Sequence, residues 1–289
     1  MDGEVVAFHC FNCGFTCTYY PGGPLYPKFL KFLDWMGVDA TTISQLKLEA
    51  LKVSPTNEES NVQPRKIESI ELPDCRMLID DPKRYSRHVD YLASRGITID
   101  DFPFLVSDDI LYRTRVILPF ILQDTIIGYS ARSIVPSDKN RFIMRQTTDF
   151  VFGLDFLKPK HEWVILSEGL FDALSVKGLA TMHNEISEAQ VNLIHDLHRR
   201  IIVVPDYDMA GMSKAKNSLI ETALDNNWDV AFPEWDHKDI NSAYVEYGRL
   251  FVMRHLLNVS TTNSMTIKLK QKMMMGKLRR AETNGIDQK

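Results

Sequence analysis

The chain has 289 residues, 44% of them hydrophobic and 25% charged, with a net charge of -4. This is an ordinary globular composition, with room for one large or two smaller cored domains, and it excludes a chain disordered throughout. The negative total means that any nucleic-acid contact must come from local basic patches. No apolar run approaches the roughly 20 residues of a membrane span, and "MDGEVVAFHC" lacks the basic-then-apolar layout of an export signal, so a cytoplasmic protein without a membrane partner is expected.

Taken in chain order, the first stretch is rich in aromatics, Gly and Pro around "FHCFNCGF", which reads as a small knuckle, followed by a helix at "PKFLKFLDWMG". With four cysteines and no export signal, the Cys10/Cys13 pair points to a metal knuckle or reduced thiols rather than disulfides. "LKVSPTNEESNVQPRKIES" is polar with two prolines and no apolar period, the texture of a linker. "YSRHVDYLASRGI" has helical spacing and ends at Gly96, and "RTRVILPFIL", "TIIGYSARSI" and "RFIMRQ" are short β-rich runs of an antiparallel region. Arg113 and Arg115 are expected on one face of the first of these strands by its period of two.

From residue 161 strands and helices alternate: "EWVILSEG" strand, "LFDALSVKGL" helix, "ATMHNE" strand, "SEAQVNLIHDLHR" helix capped by Ser187, "RIIVVPD" strand, "AGMSKAKNSLIETALDNN" helix, "WDVAFPEW" strand. Such alternation predicts a parallel sheet covered on both faces, with ligands outside the carboxyl ends of its strands. Glu168 follows the first strand, and Asp206 and Asp208 follow the third. If those strands are neighbours, three carboxylates meet at one edge, and their repulsion raises their pKa values unless a cation neutralises them. Hard oxygen ligands of this kind suit magnesium shared with substrate phosphates. Either aspartate alone reads equally as a cap for the next helix; EGxxD followed by DxDxxG on strand ends is more specific than a lone acidic pair.

"SEGLFDAL" and "PDYDMAG" resemble the two signature motifs of the Toprim domain of bacterial-type primases, topoisomerases and some nucleases. "YRTRVILPFILQDTIIGYSARSI" resembles the primase basic motif through Arg113, Arg115, Pro119, Gly128 and Arg132. Arg141 matches a basic residue of the next primase segment, and "DHKDINSAY" is similar to the Lys-Asp-x-Asn/Asp element through Lys238, Asp239 and Asn241. "FHCFNCGF" resembles the second knuckle of the primase zinc ribbon, in the form found in large tailed bacteriophages.

The resemblance to bacterial-type (DnaG-like) Toprim primases implies an α/β fold: a Toprim parallel-sheet domain after a mixed α+β basic subdomain, with a partial zinc-ribbon knuckle in front and a helical C-terminal tail. The expected divisions are 1–40 for the knuckle and helix, 41–66 for the linker, 67–158 for the basic subdomain, 159–258 for the Toprim domain and 259–289 for the tail. The activity implied is synthesis of short RNA primers on single-stranded DNA in phage replication. It is a metal-dependent nucleotidyl transfer with Mg2+ or Mn2+, and the chain would work in the host cytoplasm. Glu168, Asp206 and Asp208 are expected to hold the metal, with Asp172 and Asp239 behind them. Arg113, Arg115, Arg132, Arg141 and Lys238 are expected to meet template or triphosphate. Partners implied are single-stranded template, ribonucleoside triphosphates, a hexameric helicase and single-stranded DNA-binding protein. Zinc is expected at half a site only, Cys10 and Cys13, because the ribbon's first cysteine pair is missing; His9 and Cys17 are the nearby ligand types and Cys75 reads as a core or surface thiol. Either a first knuckle lies upstream or it has been lost.

A Toprim nuclease would need the acids but not the RxR, PF and GxxAR pattern, and a non-catalytic nucleic-acid binding module would not need the acids. A topoisomerase is disfavoured in so short a chain. The Met-studded basic tail reads as an amphipathic helix packed on the body, with docking to helicase or DNA as the other reading.

Overall fold

A computed structural model of the chain describes residues 6–11, 15–19, 25–52, 68–122, 125–147, 149–158, 160, 162–183, 185–215 and 218–286. It forms two compact units, 1–65 and 66–289. In the first, β1 (Val6–His9) pairs antiparallel with β2 (Thr16–Tyr19), and α1 (Pro27–Trp35) and α2 (Ala40–Lys52) follow. Aromatic rings join the hairpin to α1: Phe8 lies 4.5 Å from Phe32, Phe15 4.5 Å from Trp35 and Tyr19 4.7 Å from Phe29. The expected linker is thus helical over its first part. Asp39 is the reason, because its carboxylate accepts from the Thr41 and Thr42 N–H groups, each at 3.0 Å, and starts the helix. The linker's two prolines, Pro55 and Pro64, lie outside the described residues.

The second unit holds two five-stranded sheets. In the antiparallel one, β3 (Arg76–Met77), β4 (Leu105–Val106), β5 (Arg115–Leu122), β6 (Thr125–Ser133) and β7 (Phe142–Gln146) lie in that order, with α3 (Ser86–Ser94) between β3 and β4 in the chain. Pro119 is tolerated in β5 because two-residue β4 pairs with β5 only at Ile117, leaving that side of residue 119 without a ladder partner.

The other sheet contains β8 (Trp163–Ser167), β9 (Leu179–Ala180), β10 (Arg200–Val203), β11 (Asp229–Ala231) and β12 (Ser260–Thr261), in the spatial order β12-β11-β10-β8-β9. Its first four strands are parallel and β12 closes one edge antiparallel to β11. Its helices are α4 (Leu170–Val176), α5 (Glu188–His195), α6 (Leu219–Asn226), α7 (Ile240–Tyr247), α8 (Arg249–Val259) and α9 (Ser264–Ile286). Strand residues alternate between two cores as the period of two requires. Val164, Leu166 and Val203 face α5, α6 and α9, whereas Ile165 and Ile202 face α7 and α8.

A third core crosses the division expected at residue 158. Leu118, Phe120 and Ile127 of the antiparallel sheet pack in one cluster with Phe150, Phe152 and the α4 residues Leu170, Phe171 and Leu174. The tail is likewise part of the body: Ile267 is fully buried, Met274, Met275 and Leu278 pack beside it, and Gln271 Nε2 donates to the carbonyls of Met212 and Ser213. Met265, Leu269 and Met273 stay exposed on α9. Among the described residues no helix is long and apolar enough to cross a membrane.

Candidate active site

Strands β8 and β10 are hydrogen-bonded neighbours, with Leu166 opposite Val203. Their carboxyl ends therefore deliver Glu168 and Asp206 to one place, and the Asp206 N–H points to Glu168 Oε1 at 3.4 Å. Asp208 follows in a tight turn, its Oδ1 accepting from Gly211 N–H at 2.9 Å. A Cβ at residue 211 would collide with the Asp206 carbonyl, so the DxDxxG spacing has a steric cause. The same turn corrects the helix expected from residue 210. The backbone from 208 to 212 is committed to closing around Asp208, and α6 starts only after Ser218, whose side chain caps Glu221 N–H.

The EGxxD spacing has a parallel explanation. Asp172, in the first turn of α4, folds its Oδ2 over Gly169, where any Cβ would strike it. Asp172 is buried, and its Oδ1 accepts from Asn241 N–H at 2.7 Å. Asn241 is itself a buried clamp: its Nδ2 donates to Ser175 Oγ and to the Arg95 carbonyl, each at 2.9 Å, and its Oδ1 accepts from Arg95 Nη1 at 3.0 Å. Asp239 caps α7 through Ser242 N–H at 2.8 Å. Lys238 places its Nζ 2.9 Å from Asp208 Oδ2 and 3.7 Å from Asp206 Oδ2. The Lys-Asp-x-Asn element therefore supplies a cation, a helix cap and a clamp from four consecutive residues.

Electrostatics divides the acids. Burial, reinforced by Asp206, pushes Glu168 up to about 7. Asp206 rises to about 6, mainly through burial, with Lys238 opposing the rise. Asp172 stands well above the usual carboxylate range because it is buried and faces Asp239 and Asp206. Burial also pushes Asp208 up, but the Gly211 N–H and the Lys238 ammonium outweigh it and leave Asp208 below its ordinary value. Among the described residues, no three His, Cys, Asp or Glu side chains converge closely enough to hold a metal ion. The donor set nevertheless fits a hard cation. Glu168 is a buried carboxylate and Asp206 a half-buried one whose nearby cation is Lys238, and a cleft lined by Asp206, Lys238 and Asp239 opens beside Asp206.

The basic residues divide as well. Arg113 precedes β5, with its N–H on the Asp109 carbonyl, so it does not share a strand face with Arg115 as the spacing predicted. It lines a cleft with Arg84 and Arg87, two cations that the motif reading missed because they belong to the α3 region. Arg115 is buried: its guanidinium donates to Asp138 Oδ2 at 2.8 Å and to the carbonyls of Asn140, Ala131 and Leu111. These contacts occupy its guanidinium and tie β5 to β6 and to the segment between β6 and β7. Arg132 is half-buried, stacked 4.2 Å over the Phe142 ring and bonded through Nε to Tyr91 Oη. Arg141 is exposed just ahead of β7. In the first unit Cys10 follows β1, with its N–H on the Phe15 carbonyl, and Cys17 is buried on β2. Cys13 lies outside the described residues.

No protein-family model and no curated protein matches the chain. Solved structures do. A DnaG catalytic core superposes with a TM-score of 0.52 at 15% identity, covering 63% of this chain and 76% of its own. A DnaG primase catalytic domain bound to single-stranded DNA gives 0.51 at 16%, covering 60% and 74%. The zinc-binding and RNA polymerase domains of Aquifex aeolicus primase give 0.51 at 17%, covering 93% and 78%. The fold is that of a DnaG primase core. Within this DnaG-type fold the acids follow the carboxyl ends of β8 and β10, and the arginines Arg113, Arg115 and Arg132 belong to the antiparallel half.

Proposed function

We propose that the chain is a DNA primase that joins ribonucleoside triphosphates into short primers on single-stranded DNA. The observation that carries this reading is the meeting of Glu168 and Asp206 on neighbouring parallel strand ends, with Asp208 and Lys238 beside them, inside a DnaG-type fold. Glu168, Asp206 and Asp208 hold Mg2+ or Mn2+, with Asp239 nearby and Asp172 anchoring the loop from beneath. A bound divalent ion supplies charge for the α-phosphate oxygen and the leaving pyrophosphate and lowers the pKa of the attacking 3′-hydroxyl. Lys238 then exchanges its carboxylate partners for a triphosphate oxygen. Arg113, in its cleft with Arg84 and Arg87, grips the phosphates of template or nucleotide, and exposed Arg141 adds to that grip.

Resemblance of the motifs to those of tailed-phage primases supports a role in phage replication beside a hexameric helicase and single-stranded DNA-binding protein. The exposed α9 stripe of Met265, Leu269 and Met273 suits the helicase contact. For zinc, Cys10 and Cys13 remain the candidate ligands of half a site.

The test is incorporation of labelled ribonucleotides on single-stranded DNA with magnesium and the helicase, comparing this chain with Asp208→Asn. Short RNA that disappears in the variant supports the reading. DNA cleavage without nucleotides, abolished by the same variant, would replace primase with nuclease.

A further inference from the structure

The parallel sheet has a second opening, at the opposite end of β8 from the acids. Beside Trp163, which begins the strand, lies an open cleft with a volume of about 390 Å³. Its walls carry four cations, Lys158, Lys160, Lys177 and Arg249, against one acid, Glu162. In a chain of net charge -4 this is a local reversal of sign, which attracts an anion from solution.

The cations are held differently. Lys177 ends α4 in the left-handed conformation, at φ 51°, and its exposed side chain makes no ion pair among the described residues; neither does that of Lys160. Arg249 donates Nε to the Ser175 carbonyl at 2.7 Å, which fixes its guanidinium at the rim while its terminal nitrogens have no hydrogen bond among the described residues. The floor is apolar: Val176, Met253 and the half-buried indole of Trp163. Fixed and mobile cations around an apolar floor with an aromatic plate match a ligand with several phosphate charges and a flat ring. The volume suits one small molecule.

We propose that this cleft is a binding site for a nucleoside polyphosphate, separate from the acidic site. The phosphates meet Lys160, Lys177 and Arg249, and the base lies on Trp163. No bond is made or broken there, and the site needs no divalent ion because the protein supplies the positive charge.

The experiment is calorimetric titration of the whole chain with ATP in EDTA, where metal-dependent binding at the acids is suppressed. One equivalent of ATP is expected to bind, with tripolyphosphate at least ~10-fold weaker because it lacks the base. Lys160→Glu with Lys177→Glu should weaken ATP by at least ~10-fold without moving the thermal midpoint, and Asp206→Asn with Asp208→Asn should leave it unchanged. As a check that does not depend on a variant folding, azido-ATP should label the wild-type peptide carrying Trp163 or Met253. The proposal is overturned by absence of ATP binding in EDTA, by binding insensitive to the two lysines, by tripolyphosphate binding as tightly as ATP, or by labelling elsewhere. An oligodeoxynucleotide that outcompetes ATP also overturns it and assigns the cleft to nucleic acid.

Discussion

Two buried charges in the second unit are treated in opposite ways. Arg115, in the antiparallel sheet, has a carboxylate and three carbonyls for its donors. Glu168, in the parallel sheet, is buried nearly as deeply, yet the contact it accepts is one N–H at 3.4 Å, and acids stand nearby. A buried charge with its partners in place is a brace, whereas one left short of partners is held at a cost that a ligand can relieve. The first belongs to the stability of the fold and the second to its chemistry.

The sharpest way to break this comparison is to remove each charge. Glu168→Gln and Asp206→Asn should each lower primer synthesis by roughly 10³-fold, the scale of losing a group that stabilises a transition state, while the protein stays folded. Arg115→Met should do the reverse. Removing one partner of a buried pair and orphaning three carbonyls should destabilise by about 3 kcal/mol, a fall in thermal midpoint of roughly 6–12 °C. An Arg115→Met protein that melts normally but cannot prime would return Arg115 to the ligand-binding residues.

The pH dependence sharpens the same contrast. Glu168 titrates at about 7 in the folded chain against an ordinary value of 4.5, so the native state binds its proton more tightly than the unfolded state does. The Glu168 contribution to the stability of the metal-free protein should therefore be lost as pH rises from about 4.5 to 7, at most about 3 kcal/mol, and Asp206, raised to about 6, adds a loss of the same sign between about pH 4 and 6. Glu168→Gln should flatten this slope and stabilise the protein at pH 8, and magnesium should raise the wild-type midpoint there but not the variant's. Denaturant titrations at pH 5.5 and 8 check both. Smaller effects are expected away from the charges. Asn241→Ala, which strips the side-chain clamp from Arg95 and Ser175 but keeps the backbone N–H on Asp172, should cost about 2 kcal/mol. Ser187→Ala, which opens the capping box of α5, should cost about 1 kcal/mol in the same assay.

Much of the parallel half was legible in the sequence because strand and helix textures alternate there, and a strand end followed by an acid is a local pattern. That β8 and β10 are neighbours was a condition and not a reading, since register between strands is a property of the packed sheet. The start of α6 was missed because propensity across "AGMSKAKN" favours a helix while the Asp208 turn, a tertiary commitment, forbids it. The burial of Arg115 was not legible for a related reason. Spacing places a residue along a strand, but whether its guanidinium meets solvent or Asp138 depends on a hairpin returning from residues 138–140. Arg84 and Arg87 join Arg113 only through the third dimension, and no motif announces them. Helix α2 was hidden by the attention that prolines draw, although the Asp39 cap was present in the chain.

The hydrophobic cluster running from Leu118 and Phe120 through Phe152 into α4 bears on how the molecule can be taken apart. The arginine-bearing and acid-bearing halves share side chains of one interior, so they are not modules that evolution or an engineer can exchange independently. Cutting between β7 and β8 would strand half of that interior in water on each fragment. Heating should accordingly melt both sheets in a single cooperative step.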